Sequence, residues 1–369
     1  MKKIFFTSVL LAVVLLSHGQ VGLGFFFDIN DHFYVFDKGN TFQLEVNHVD
    51  SIKVGNDYLS YIDKQSNLKV YYNGETKTIE ESSPRIIVAT AYALVYKMEH
   101  RLMIYQNGKK IQLASWADRF YAGDSIVTWQ DSPSLDIMAY ENGEIKTIET
   151  AVSTRVIKGG KAGKNIFAYS DLNNNFKIYY KGQVIETQAS DIHNYKCGRD
   201  IVAFVDRFNS TFNVFDNGEI KIITTRLPQN YSVSENIICY LDADDNFMIY
   251  YNGEAIKLES FKPDFYQAKN NVIVYFNKPE LKIFYEGEGQ TLEKITEQKN
   301  IIIGVNSALY FDNSNRAKYF YKGKIYDNFL IETPKKMELY RDLPVFYYGN
   351  NTIGFLYNGK LLEYETSNN

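Results

Sequence analysis

The stretch Phe247-Met-Ile-Tyr-Tyr-Asn-Gly-Glu254 recurs about ten times along the chain. Leu68-Lys-Val-Tyr-Tyr-Asn-Gly-Glu75, Phe176-Lys-Ile-Tyr-Tyr-Lys-Gly-Gln183 and Leu281-Lys-Ile-Phe-Tyr-Glu-Gly-Glu288 are versions of it. Ten glycines hold the register: Gly39, Gly74, Gly108, Gly143, Gly182, Gly218, Gly253, Gly287, Gly323 and Gly359. Their spacings are 35, 34, 35, 39, 36, 35, 34, 36 and 36 residues. A fixed period in this range marks a repeat architecture, in which each copy is one unit that buries its apolar faces only against its neighbours.

Each copy reads as four short strands. In residues 226–259 the strand candidates are 230–233, 237–241, 247–251 and 254–259. Ser234-Glu-Asn236, Asp242-Ala-Asp-Asp-Asn246 and Asn252-Gly253 separate them as turns. Asn-Gly between apolar runs is the strongest short hairpin signal, because both central residues of a type I′ turn need φ > 0. Six copies have it, at Asn73, Asn107, Asn142, Asn217, Asn252 and Asn358; three use Lys-Gly and one Glu-Gly. The glycine never varies and its partner does, as expected if glycine meets the harder dihedral requirement.

Three residues before each glycine stands Phe36, Tyr71, Tyr105, Tyr140, Tyr179, Phe215, Tyr250, Phe284, Phe320 or the one exception, Leu356. Six residues before it stands Phe33, Leu68, Leu102, Ile137, Phe176, Phe212, Phe247, Leu281, Ala317 or Ile353. The two sets have opposite parity, so they lie on opposite faces of one strand. A sheet with one wet face would alternate apolar with polar. Strands apolar on both faces inside an antiparallel meander imply small sheets stacked face to face. A second aromatic column ends the second strand, from Tyr61 and Tyr96 to Tyr310 and Tyr347, and an Asp or Asn usually follows it. Short acids and amides bond their own backbone two residues on, so Asp63, Asp171, Asp206, Asp242 and Asp312 read as turn residues.

Four-stranded meanders joined by polar links such as Glu80-Glu-Ser-Ser-Pro84 are the blades of a β-propeller. The expectation is therefore an all-β fold with about ten four-stranded antiparallel blades. Their boundaries fall near 22–48, 49–80, 81–113, 114–149, 150–188, 189–224, 225–259, 260–294, 295–332 and 333–367. The first copy lacks a clear first strand. One ring is favoured over two five-bladed rings split near residue 188, since no linker composition interrupts the spacing there. An outer-membrane barrel would need strands of ~9–11 residues, longer than those of this repeat. Over residues 22–367 the arrangement resembles propeller repeat proteins in general. It lacks the WD-repeat, kelch and Asp-box signatures, so the resemblance implies architecture and no particular activity.

Met1-Lys-Lys3, the apolar run 4–16 and Ser17-His-Gly19 read as a signal peptide (residues 1–19) cleaved before Gln20, leaving the propeller in 20–369. The apolar run is shorter than the ~20 residues of a membrane span, and no second run of that length follows. The mature chain carries 38 Lys and Arg against 44 Asp and Glu, a net charge of −6. A mildly acidic chain without basic blocks is poorly suited to nucleic acid, where phosphate neutralisation carries most of the affinity. The only cysteines, Cys197 and Cys239, sit in adjacent copies, and spacing leaves open whether they are bonded.

No catalytic constellation is readable. Lys158-Gly-Gly-Lys-Ala-Gly-Lys164 has Lys where a phosphate-binding loop needs its first Gly, and Asn165 where it needs Ser or Thr; it reads as a flexible basic loop that lengthens one spacing to 39. Asp171-Leu-Asn-Asn-Asn175 and Asp242-Ala-Asp-Asp-Asn246 alternate oxygen ligands but lack the Gly and distant Glu of a calcium loop, so they read as turns. His32, His48, His100 and His193 are dispersed, and a metal site or triad would have to be assembled across blades. Recurring carboxylates follow the repeat, whereas a catalytic residue is needed once. The thirty tyrosines exceed what the two aromatic columns use, which suggests a sugar-stacking or protein-docking surface.

The expected function is a non-enzymatic periplasmic interaction scaffold or an accessory subunit of an outer-membrane or secretion complex, without cofactor or metal. The alternative is a secreted carbohydrate- or ligand-binding propeller, including a glycan-active enzyme. The Asn, Tyr and Lys bias and the cleavage before Gln20 are similar to envelope proteins of bacteria that carry the type IX secretion system. Some accessory subunits there, such as the plug of the translocon, are soluble periplasmic proteins. The blade pattern runs to within a few residues of Asn369, leaving no room for a separate C-terminal sorting domain. That resemblance implies a protein retained in the periplasm with an envelope protein as partner.

Overall fold

The hairpin turns form as their dihedrals require. Asn252 and Gly253 have φ of 49° and 87°, and every other turn pair, from Lys38-Gly39 to Asn358-Gly359, is also positive at both residues. Each turn joins the last two strands of a meander, as between Phe247–Tyr251 and Glu254–Glu259. The acidic turns before the third strand form through the carboxylate. Asp171 accepts from the backbone N–H of Asn173 (2.8 Å) and Asn175 (2.9 Å) on Oδ1. Its Oδ2 takes the Asn175 amide at 3.0 Å. Asp63, Asp242 and Asp312 do the same.

The structure, a computed structural model, describes residues 20–150 and 158–366, apart from positions 172, 191, 193, 298, 299, 328 and 331. The leader expected over 1–19 and His193 lie outside these residues. Among the described residues there is no helix, and so none long and apolar enough to cross a membrane. Ten antiparallel sheets occupy 23–45, 50–80, 86–114, 117–149, 158–190, 195–224, 230–259, 265–294, 302–326 and 336–365, here called blades one to ten. Nine have four strands in sequence order, and blade one has three.

The blades close into one ring. Buried apolar side chains fall into ten clusters, one between each pair of neighbours, including ten and one. Between blades two and three, for example, Tyr58, Leu68 and Val70 meet Leu94, Tyr96 and Tyr105. Each such side chain contributes roughly 1.5–3 kcal/mol on burial, so no blade is stable without its neighbours. The cluster between blades five and six joins Ile166 and Phe176 to Tyr195 and Phe204, with no break near residue 188. At the closure, Phe36 stacks on Phe355 at 4.2 Å and Phe25 on Tyr340 at 4.6 Å. Gln20 adds bonds to the carbonyls of Asp342 (2.7 Å) and Leu356 (2.9 Å) and accepts from the N–H of Asn358.

Two sequence expectations need correction. Residues 158–164 are not a flexible loop: Lys158–Ala162 is the first strand of blade five, paired with Ile166–Ser170. Its glycines serve close packing, since a Cβ on Gly160 would meet the Phe167 ring at 2.8 Å. The tyrosine surplus is also not a free surface. Among the described tyrosines only Tyr92 is strongly exposed. Many of the others donate across blade boundaries, as Tyr71 does to Asp37 (2.9 Å) and Tyr250 to Asp216 (2.8 Å).

A polar latch links several blades. The Glu six residues after the turn glycine of one blade receives the Lys five residues before the turn glycine of the next. The pairs are Glu45–Lys69 (2.7 Å), Glu149–Lys177 (2.7 Å), Glu259–Lys282 (2.8 Å) and Glu293–Lys318. Tyr61 and Tyr169 donate to the same glutamates, at 2.9 and 2.5 Å. The lysines also reach their own turn carboxylates, Lys69 to Asp63 at 3.1 Å and Lys177 to Asp171 at 3.2 Å.

Candidate functional site: the axial turns and the blade rim

The turns between first and second strands converge on the ring axis. One cavity of about 200 Å³ is lined by residues of nine blades, among them Val21, Asn56, Ala91, Asp124, Lys164, Arg199, Asn271, Asn306 and Arg341. Only a cavity on the axis can touch so many blades. Backbone bonds run from turn to turn around it: Asn56 N–H to Ala91 O, Lys164 N–H to Gly198 O, Arg199 N–H to Glu235 O and Asn271 N–H to Val305 O, at 2.7–3.1 Å. Small residues allow this approach. A Cβ on Gly163 would lie 1.9 Å from the Gly198 oxygen, and one on Gly198 1.8 Å from the Glu235 oxygen.

The charges on the axis mostly neutralise each other. Lys164 pairs with Asp124 at 3.3 Å and with Glu235, and Arg199 bonds Glu235 at 2.8 Å. Asp342 accepts from the N–H groups of Val305 and Asn306, both 2.8 Å, and from the Ser307 hydroxyl at 2.5 Å. Arg341 and Asn56 in the cavity wall each have a buried polar atom, Nε and Oδ1, with no hydrogen-bond partner among the described residues.

At the rim, one boundary without the latch opens into a groove. Between blades five and six the latch positions hold Gln188 and Asn213, and a groove of about 470 Å³ opens there. Ala189, Phe204, Ile220 and Ile222 give it apolar walls. Phe208, on the adjoining turn, is 92% exposed, and Ile222 on the outer strand is 62% exposed. Sequence reading missed this surface because Phe208 breaks no period. The co-variation of Lys with the Glu of the preceding copy was the signal available.

The sequence candidates are not brought together. His32 and His48 share blade one's surroundings but pair separately, with Asp28 at 2.8 Å and Asp31 at 3.0 Å. His100 stacks on the half-exposed Trp116 at 3.7 Å, two blades away. Cys197 and Cys239 are both unbonded. Cys197 faces blade five, with its thiol 3.5 Å from the Lys161 oxygen, while Cys239 packs toward blade eight. Burial pushes both thiols up to about 12, which makes them poor nucleophiles. The oxygen-rich turns at Asp171 and Asp242 hold their own backbone, as described above.

No curated protein matches the sequence. Among solved structures it is similar to the computationally designed Ika8 protein, with 15% identity over 73% of this chain and 95% of that one and a TM-score of 0.35. It is also similar to the CRINKLY WD40 ectodomain of the Arabidopsis thaliana receptor kinase ACR4, with 7% identity, 64% and 97% coverage and a TM-score of 0.35. Human WBSCR16 matches at 8% identity, with 66% and 89% coverage and a TM-score of 0.34. The family model described as the 10-bladed beta propeller domain matches residues 19–302, and with ten blades closed into one ring the chain belongs to that family.

Proposed function

We propose that this propeller is a non-enzymatic protein-interaction scaffold of the bacterial periplasm, in its narrower form an accessory subunit of an outer-membrane or secretion complex. The observation that carries the reading is a contrast between axis and rim. On the axis, Lys164, Arg199, Asp124, Glu235 and Asp342 are occupied in holding turn to turn. On the rim, Phe208, Ile220 and Ile222 present apolar area to solvent beside one groove. Exposed apolar side chains gathered in one place favour contact with another protein. The periplasm is supported by the basic start, apolar run and small residues of 1–19. The test is affinity purification of the tagged native protein from envelope fractions. Recovery of one defined membrane complex is the expected result, and recovery of the protein alone counts against the reading.

A second reading, a ligand-binding propeller, rests on Arg341 and Asn56, which line the axial cavity and whose Nε and Oδ1 have no hydrogen-bond partner among the described residues. A sugar acid, whose carboxylate accepts from Arg341 Nε and whose hydroxyl donates to Asn56 Oδ1, should raise the melting temperature of the native protein and leave that of Arg341→Met unchanged.

A further inference from the structure

Blade ten departs from the latch at all three of its positions. Where Lys69 and Lys177 stand, it has Gly354; where Asp63 and Asp171 stand, it has Tyr348; and the preceding copy offers Phe329 in place of Glu45 or Glu149. The backbone there is the same, since the Tyr348 N–H bonds the Thr352 oxygen at 3.0 Å, as the Asp63 N–H bonds that of Asn67. The strand pairing differs. In blade two the register shifts between Leu68 and Lys69, whereas in blade ten Thr352–Glu365 and Gly354–Glu363 pair without a shift. Directly paired residues share a sheet face. Glu363 and Glu365 therefore stand on the same face as Thr352 and Gly354.

The result is a cavity of about 330 Å³ lined by Glu332, Tyr348, Asn350, Thr352, Glu363 and Glu365. None of its three glutamates has an ion-pair partner among the described residues. Lys335 extends over Gly349 and pairs with none of them. Tyr348 lines this cavity, is only 8% exposed, and its buried hydroxyl has no hydrogen-bond partner among the described residues. Burial first, then the charges of Glu363 and Glu332, push that hydroxyl above the ordinary phenol range.

We propose that this cavity is a docking site for a cationic side chain, a lysine ammonium or an arginine guanidinium, supplied by a partner protein. The chain itself shows the chemistry: at Glu45 and Glu149 an ammonium from the next blade is held by carboxylates with a tyrosine hydroxyl beside them. Blade ten keeps carboxylates and a tyrosine but supplies no lysine. A metal ion fits less well, because no three acidic, His or Cys side chains among the described residues stand close enough to share one. This inference rests on the interaction reading and names the partner's chemistry.

The test uses the full mature protein and a fluorescein-labelled, N-acetylated hexalysine peptide, titrated by fluorescence anisotropy. Glu363→Gln with Glu365→Gln should weaken binding at least tenfold. The same charge change placed elsewhere, at Glu254 and Glu288, should alter it less than twofold. Tyr348→Phe should weaken binding severalfold without lowering the melting temperature, because its hydroxyl has no hydrogen-bond partner among the described residues. Equal loss in the two double variants reduces the effect to net charge and overturns the site. Displacement of the peptide by micromolar Ca²⁺, reversed by chelator, overturns it in favour of a metal. If the peptide fails to bind while envelope complexes are still recovered with the E363Q/E365Q variant, this site is wrong and the scaffold reading stands. If the peptide binds and no complex is recovered from native envelopes, the scaffold reading fails instead.

Discussion

The Lys177 ammonium lies 2.7 Å from Glu149, across the boundary between blades four and five, and 3.2 Å from Asp171 in its own blade. Tyr169 donates to the same Glu149. Lys177 is 11% exposed and Glu149 20%, so water screens the pair less than it screens Lys146–Glu144, where both partners stand in solvent. Glu149→Ala should therefore destabilise by ~1–3 kcal/mol through a part-buried cation and hydroxyl left under-paired. Glu144→Ala should change stability by less than ~0.5 kcal/mol, as exposed pairs do. Urea melts of both variants decide this, and equal midpoints contradict the latch.

Blades six and seven allow the converse experiment. The latch positions there hold Thr224 and Met248. Met248→Lys alone should destabilise, because Met248 packs against the cluster of Ile238 and Tyr250. Adding Thr224→Glu should recover part of that loss, with a coupling of ~0.5–1 kcal/mol in a double-mutant cycle. Zero coupling means that the geometry of the other boundaries does not carry over.

The turn carboxylates set the acid limit. Burial alone pushes the Asp171 carboxyl up, but the Asn175 side chain and backbone, then Lys177, outweigh it and hold the carboxyl below its usual range. Asp63, Asp242 and Asp312 are lowered in the same way. A group lowered in the folded state contributes stability present above its unfolded pKa of ~3.9 and lost as pH falls through the folded value. Stability should thus be level from about pH 5 upward and fall below about pH 4. Asp171→Asn should be less stable than the parent at pH 6, with the gap narrowing below pH 4. A constant gap in thermal melts across that range rules out the linkage.

Gly253 tests the turn. A Cβ there meets nothing closer than Lys221 Nζ at 3.8 Å, so the obstacle to substitution is its φ of 87°, not space. Gly253→Val should cost about 1–3 kcal/mol, since a β-branched residue at positive φ is strained. Asn252→Lys should be near neutral, because Lys181 and Lys322 already occupy that position at φ of 48° and 47°. Equal thermal shifts for the two variants would refute the type I′ assignment.

The period, the turns and the stacking were legible because each repeats. Asn252-Gly253 and the columns through Tyr250 and Phe247 recur at every blade, so the copies reinforce one another. Segment 158–164 was misread for the opposite reason. Glycine and lysine composition suggests a loop, but pairing with Ile166–Ser170 overrides local propensity and makes it a strand. Gly163 answers to a contact 35 residues away, at Gly198. The latch was half legible: Lys177 and Glu149 sit at fixed offsets from different glycines, and only the comparison between neighbouring copies reveals them. The acidic cavity of blade ten was hidden, because it depends on an absent register shift.

The corrected segment makes its own prediction. Removing residues 159–164 should unfold blade five, since it takes away most of a first strand and the axial Lys164 that bridges Asp124 and Glu235. Circular dichroism should show no cooperative melt near that of the parent. Gly163→Ala alone should lower stability, because its Cβ cannot avoid the Gly198 carbonyl.

The claim that the rim, not the axis, meets a partner is tested most directly by photo-crosslinking in intact cells. A photoreactive phenylalanine analogue would replace Phe208, which is exposed beside the groove of blades five and six, and in a second strain Thr78, exposed on the outer strand of blade two. The account predicts one discrete crosslinked envelope protein at position 208 and none at position 78. Identical crosslinks at the two positions, or none at 208 while an axial position such as 341 crosslinks, would contradict it.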